Sequence, residues 1–339
     1  MLLPPMIVGS LPKPEWLAEP RQLRAPWRLP EEALLAGQDD ATTVAIHLQE
    51  RAGMMIVTDG EQRRRHYISH FCEGLPAFDY GRLVDKKTRG GKYTARVPTI
   101  VDKVRWTRPI LLRDLAFTLT HAGWPVKITL PGPMTIADTA FGQAYADEEE
   151  LIMDLAAAVN EEAKALCQLQ PGIIQIDEPA FSADPDKARA IGMAALNRAI
   201  QDVPCATAVH ICYGYGTDVV LEWKNANTSW GQYEQLLPLL AQTNITILSL
   251  EFAAPNLDPA LLELAGDKRI AFGCVDVAPN PAEPVEVVAE RIRGALKHVP
   301  PERLFPSTDC GMAPLDRALA VDKMLVLGQA ATLVGNELG

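Results

Sequence analysis

Six cysteines and six histidines are spread over 339 residues, and one of the strand-like apolar runs sets the two types close together. In "HIC", His210 and Cys212 stand two apart near the end of an apolar run, "ATAVHICYG" (206–214). On a strand, a period of two turns both side chains to one face, which makes half of a metal site. Two other runs close on groups able to complete it. "ITILSLEF" (245–252) places Glu251 among apolar residues, where a carboxylate without a partner is costly, and "RLFPSTDCG" (303–311) ends in Asp309 and Cys310. His210, Cys212, Glu251 and Cys310 would form a tetrahedral set of one imidazole, two thiolates and one carboxylate, all acceptable zinc ligands. A metal ion is then the partner expected for Glu251. Any one of these residues alone reads as packed core; their combination is the signal.

The charge of that set selects its chemistry. Two thiolates and a carboxylate outweigh a dication, so the centre is net anionic. Hydrolytic zinc sites keep neutral ligands, so that the ion stays a strong Lewis acid and acidifies water. An electron-rich centre does this poorly. It can still hold a substrate thiol as thiolate at neutral pH, where a free thiol, titrating near about 8.5, is mostly protonated. The expected reaction is alkyl transfer to sulfur.

These residues must be delivered by a repeating scaffold. Eight short apolar runs recur: 6–10, 54–61, 126–133, 173–181, 206–214, 245–252, 270–277 and 303–311. Amphipathic segments lie between them, including 147–169, 184–201, 229–242, 283–297 and 315–335. Strands alternating with helices imply parallel pairing, and eight such units suggest a closed (β/α)8 TIM barrel. No low-complexity linker interrupts the chain, so residues 1–339 read as a single catalytic barrel. Six of the eight runs end in reactive or specialised residues, where barrel active sites sit: Gly9 and Ser10, Asp59 to Glu61, Asp177 and Glu178, His210 and Cys212, Glu251, and Asp309 and Cys310.

Residues 92–107 alternate as a hairpin, an excursion on the rim before the third strand. The stretch 214–232 is long for a βα loop, and such loops usually carry function. His66 and His70 could share a helix face, but the residues between them lack the Glu of a metalloprotease motif, so they are not read as ligands. Arg63, Arg64 and Arg65 read as a solvated rim, one of which could hold a carboxylate or phosphate. Cys72, Cys167, Cys205 and Cys274 read as core or surface thiols, with no disulfide framework.

Hydrophobic residues make up 48% and charged residues 22%, which suits a chain with a large core. The net charge of -11 argues against a nucleic-acid partner. No run of about 18 apolar residues predicts a membrane span. The start, "MLLPPMIVGS", lacks a basic segment and a long apolar one, so no signal peptide is expected, and a cytoplasmic enzyme is.

"VGSLPKP", "DGEQRR", "IDEPAF", "HICYG" and "STDCGM" resemble, in order, the catalytic half of cobalamin-independent methionine synthase. The resemblance covers essentially the whole chain and implies a zinc-bearing (β/α)8 barrel that methylates L-homocysteine in methionine biosynthesis. It implies zinc on His210, Cys212, Glu251 and Cys310. It places the homocysteine amino group on Glu61 and Asp177, and its carboxylate on the Gly9–Ser10 turn. Structural roles stay open beside these: Asp177 and Glu178 could close a strand, and Glu61 could pair with a rim arginine.

The departures fall on the donor side. The long members carry an N-terminal barrel, whereas this chain resembles the short core forms. Thr139, in "GPMTIADTAF", stands where the folate-dependent enzymes have a Trp against the pterin. Asp276, in "CVDVAPN", stands where they have a His proposed to protonate the departing folate. The methyl donor is therefore left between a methylated corrinoid protein (or methylcobalamin) and methyltetrahydrofolate, with an accessory protein as a possible partner. Two other readings are another zinc-dependent thiol alkyltransferase, such as a coenzyme M type, and a non-enzymatic zinc-binding barrel.

Overall fold

Apolar runs too short for helices and bounded by Pro or Gly become strands, and the amphipathic stretches between them become helices. The structure is a computed structural model that describes residues 2–214, 218–227 and 230–339. An antiparallel hairpin, β1 (Phe78–Thr88) and β2 (Tyr93–Ile100), precedes a parallel sheet. The sheet runs in sequence order through β3 (Lys127–Pro131), β4 (Ile173–Asp177), β5 (Ala206–Ile211), β6 (Ile247–Glu251), β7 (Arg269–Val275) and β8 (Leu304–Thr308).

The first two predicted strands enter the ring as single bridges rather than ladders. Met6 pairs in parallel with both Ser307 and Ile56, and Val57 pairs with Val126. Backbone bonds carry the circle from β8 to β3: Met6 N to Pro306 O at 3.0 Å, Met55 N to Pro5 O at 2.9 Å, and Lys127 N to Val57 O at 2.8 Å. Prolines at 4, 5, 125 and 306 offer no N–H, which keeps these contacts short. The eight runs thus close a barrel.

The helices are α1 (Glu31–Arg51), α2 (Tyr67–Cys72), α3 (Leu112–His121), α4 (Pro133–Asp138), α5 (Glu148–Cys167), α6 (Ala180–Ala183), α7 (Pro185–Lys187), α8 (Met193–Ala199), α9 (Asp218–Ala226), α10 (Gln232–Ala241), α11 (Val285–Ala295) and α12 (Arg317–Glu337). The α5 start is acidic and is capped by Asp147, whose side chain accepts from Glu149 N. The predicted 184–201 helix is instead broken into α7, a π turn and α8. By length and composition α12 could cross a bilayer, but it lies against α1, α11, β7 and β8, with Met324 and Leu327 fully buried.

Alternation along each strand divides the core in two. Ile174, Ile176, Val209, Ile211, Leu248 and Leu250 point outward to the helices and join the main core. The alternate residues point into the barrel. Met6, Ile56, Ile173, Ala208, Ile247 and Ala271 form a separate apolar plug. Above it the inward positions turn polar: Gln175 then Asp177 on β4, His210 on β5, and Ser249 then Glu251 on β6. A one-residue slip would send all of these into the helix layer.

Three expectations need correction. The hairpin lies at 78–100 rather than 92–107; β1 is mostly polar ("GRLVDKKT"), so its sequence hid it, and the turn is made by Arg89 to Gly91 at positive φ. Cys167 and Cys205 are joined in a disulfide, because the end of α5 and the start of β5 bring their Cα atoms to 5.9 Å. Arg63 and Arg64 are buried rather than on a solvated rim, since each faces carboxylates; Arg65 alone is exposed.

Candidate metal and substrate site

The half-site read from "HIC" exists as a cluster. One ligand atom from each of His210, Cys212 and Cys310 lies within 4.8 Å of the others, and all three residues are buried. The Cys310 thiol donates to the Cys212 sulfur at 3.4 Å. That bond holds Cys212 well below the ordinary thiol range and pushes Cys310 well above it, so the pair keeps one proton between them. The His210 Nδ1 meets the Ser249 hydroxyl at 3.0 Å, while its Nε2 is buried with no hydrogen-bond partner among the described residues. A ring fixed at one nitrogen and bare at the other, beside two sulfurs, is the donor set of a thiophilic metal such as zinc. The residues present fit such an ion.

Glu251 stands apart from the three. It is fully buried, but one carboxylate oxygen pairs with the Lys224 ammonium, and the other accepts Tyr213 N at 2.8 Å. Its ion-pair partner in this structure is a lysine on α9. Nothing in the sequence signals that pair, since Lys224 lies in the stretch 214–232 that reads as a long loop but forms α9 over Asp218–Ala226. Within that loop, 215–217 and 228–229 fall outside the described residues.

Asp309 ties the Glu251 and Cys310 loops together. Its carboxylate accepts three backbone N–H groups that follow Glu251: Phe252 and Ala253 at 3.0 Å each, and Ala254 at 2.7 Å. Gly273 makes room for it, because a Cβ there would lie 2.4 Å from the Asp309 carboxylate.

One layer below Cys212 sits the acid pair. Asp177 is opposite His210 in the sheet register. Its carboxylate accepts Gln175 Nε2 at 2.8 Å. Burial first, and then the Glu61 charge, raise Asp177 from 3.8 to about 7, against the pull of His210. Glu61 is held at φ 56° at the end of the second run; its N–H meets Asp59 at 2.9 Å, and its carboxylate accepts the Thr129 hydroxyl at 2.8 Å. Arg64 lies 3.6 Å from Glu61 and 3.7 Å from Asp59.

The floor beneath is Lys127. Its ammonium donates to Ile7 O and to Gln175 Oε1, both at 2.7 Å. Burial brings its pKa down to about 7, despite Asp177 and Glu61. Gly9 packs so close that a Cβ would stand 3.0 Å from a Glu61 oxygen. Ser10 is pinned to the last loop: its carbonyl accepts Met312 N at 2.9 Å and its hydroxyl accepts Ala313 N at 3.3 Å. The structure thus gathers Gly9, Ser10, Glu61, Asp177, His210, Cys212 and Cys310 around one mouth.

Glu178 and Asp276 have other surroundings. Glu178 caps α4, accepting Met134 N and Thr135 N at 2.9 Å and the Thr135 hydroxyl at 2.7 Å. Asp276 follows β7; its carboxylate accepts Ala278 N at 2.9 Å and its carbonyl accepts Lys323 at 2.8 Å.

Above the cysteines the hairpin roofs a cavity of about 570 Å³. Lys86 anchors the roof to Ala137 O and Ala140 O at 2.7 and 2.9 Å, and Arg89 reaches Asp138. The lining includes Cys212, Thr139, Tyr67, Tyr80, Tyr93 and Lys92. His66 also lines it; burial, then Arg24 and Arg89, lower it to about 3, so the ring is neutral. His70 instead meets Asp114 at 3.0 Å.

Fold and site together define a β/α barrel with a His, Cys, Cys group that could hold a metal ion at the C-terminal ends of its strands. Residues 3–333 match the family model "Cobalamin-independent synthase, Catalytic domain", and the chain belongs to that family of methyltransferases. The methionine synthase of Pyrococcus horikoshii is 32% identical over 99% of this chain and 94% of its own length. That of Sulfurisphaera tokodaii is 30% identical over the same shares. A B12-independent methionine synthase from Shewanella sp. W3-18-1, solved with selenomethionine, superposes with a TM-score of 0.97 at 42% identity, covering 100% of this chain and 99% of its own.

Proposed function

We propose that this chain, 1–339, is one catalytic barrel that transfers a methyl group to the sulfur of L-homocysteine. The observation that carries the reading is the buried His210, Cys212 and Cys310 cluster beside an acid pair, with Asp177 level with His210 and one layer below Cys212. Zinc, when bound there, would supply the charge that keeps the substrate sulfur a thiolate at neutral pH. The residues around it do the rest. Cys212 and Cys310 give up the proton they share. Glu61 and Asp177 receive the substrate ammonium, and its charge favours the ionised form of Asp177. Gln175 and Lys127 fix Asp177 from below. The Gly9–Ser10 turn meets the substrate carboxylate. A ligand held at both ends points its sulfur up toward Cys212, where orientation lowers the barrier. Selenomethionine in the Shewanella structure, an analogue of methionine, agrees with an amino-acid site of this kind.

The donor enters from the cavity above. Three tyrosines and a lysine around about 570 Å³ suit a flat, anionic molecule of methyltetrahydrofolate size. A corrinoid on its own protein would have to displace the hairpin. Thr139 leaves open the space that a Trp would fill, and the tyrosines supply aromatic surface instead. The test is purified protein with homocysteine, given methyltetrahydrofolate or methylcobalamin separately, with metal content measured and methionine scored. Methionine from neither donor, with or without a candidate accessory protein, refutes the reading.

A further inference from the structure

Two polar side chains of β3, Lys127 and Thr129, each lead to one member of the acid pair. Lys127 reaches Asp177 through Gln175. Thr129 links Glu61 to a second buried cation. The Arg64 Nη1 donates to the Thr129 hydroxyl at 2.7 Å, and that hydroxyl donates to Glu61 Oε1 at 2.8 Å. A hydroxyl has a single proton, and a guanidinium neither accepts nor deprotonates, so this chain runs in one direction. The same Arg64 nitrogen lies 3.6 Å from Oε1, and a Cβ on Gly9 would stand 3.0 Å from it. Oε1 is thus enclosed by Thr129, Arg64 and Gly9, whereas Oε2 accepts no hydrogen bond among the described residues. Arg64 itself leaves Nε and Nη2 buried and without a hydrogen-bond partner among the described residues. For the fold alone such a guanidinium is costly. The Glu61 side chain is 7% exposed against 2% for Arg64, so the carboxylate is the group that a ligand can meet.

We propose that Arg64 is a positioning residue that acts through Thr129: it locks one oxygen of Glu61 and so leaves the other for the substrate ammonium. This rests on the homocysteine reading above. The turn that carries both residues completes the lock. Glu61 sits at φ 56°, Arg64 N closes onto Glu61 O at 3.0 Å, and Asp59 takes the Glu61 N–H at 2.9 Å. Backbone and side chain of Glu61 are therefore fixed together. Selection for an α-amino group belongs to β3 and the 59–64 turn as much as to the acid pair.

The test reads binding of L-methionine, the expected product, by calorimetry, so it does not depend on the methyl donor. Wild type, Thr129→Val, Thr129→Ser and Arg64→Lys are each titrated with L-methionine and with 4-(methylthio)butyrate, which lacks only the amino group. Thr129→Val keeps the shape and removes the relay proton. It is expected to weaken methionine about tenfold and to leave 4-(methylthio)butyrate within about twofold. Thr129→Ser returns the hydroxyl and is expected to recover the methionine affinity to within about twofold. Arg64→Lys keeps the charge but not the planar fork, and is expected to repeat the valine result; it carries the test if Thr129→Val does not fold. Equal weakening of both ligands means a merely structural role and overturns the proposal, as does an unchanged methionine affinity. A wild type that binds methionine no better than 4-(methylthio)butyrate sinks the ammonium seat, and this inference with it. Selective methionine binding without methionine synthesis counts against the homocysteine reading alone and leaves the relay standing.

Discussion

Replacing Asp177 by Asn separates two consequences of one buried acid. In the fold its pKa rises from 3.8 to about 7, chiefly through burial. A carboxyl raised in this way favours its protonated form, so its contribution to stability is fully present below 3.8 and is lost as pH climbs through about 7. By linkage the loss is on the order of 4 kcal/mol, an upper bound because Glu61 and His210 share in it. Asp177→Asn removes the ionisation and still accepts from Gln175 through its amide oxygen. The variant should match wild type at low pH and become progressively more stable than wild type toward neutral pH. Homocysteine should fare the opposite way. Loss of a charge-assisted bond to its ammonium, about 1.5–3 kcal/mol, lowers kcat/KM by roughly 10- to 150-fold. Urea unfolding across the pH range and steady-state kinetics measure the two. N-acetylhomocysteine, which has no ammonium, should not distinguish the proteins. A stability difference that is flat with pH, together with unchanged kcat/KM, would refute the assigned environment and role of Asp177.

Cys310→Ser should abolish stoichiometric metal binding and methionine formation while leaving the fold intact by circular dichroism; normal turnover would contradict the cluster's role. Gly273→Ala should destabilise the protein by several kcal/mol and loosen the Cys310 loop, since its Cβ would strike Asp309 at 2.4 Å and Leu250 O at 2.5 Å; an unshifted melting temperature would count against that packing. Tyr93→Ala should raise KM for the methyl donor and leave homocysteine binding, measured by cobalt spectra, within about twofold; a change confined to homocysteine would misplace the donor.

Much of the site was legible because a strand has a strict period. His210 and Cys212 share a face, and so do Gln175 and Asp177, which is why polar residues at strand ends announced a common mouth. What a strand cannot announce is its distant partner. Nothing around Glu251 pointed to Lys224, 27 residues earlier on another element. Arg63 and Arg64 read as a rim in the sequence, whereas in the fold Asp39, Asp59 and Glu61 face them. Cys167 and Cys205, 38 residues apart, pair only because a helix end and a strand start meet. The hairpin reads too late in the sequence because β1 carries a polar second half without clean alternation, and a rim element has little core to reveal its register.

The apolar plug of Met6, Ile56, Ile173, Ala208, Ile247 and Ala271 seals the far end of the barrel. Among the described residues, the cavity that reaches Cys212 lies on the other side, beneath the hairpin. The acid pair lies deeper than Cys212, whereas the roofed cavity begins at it. On the proposed function, with the methyl donor in that cavity and the amino acid on the acid pair, the expected binding order is homocysteine first in and methionine last out.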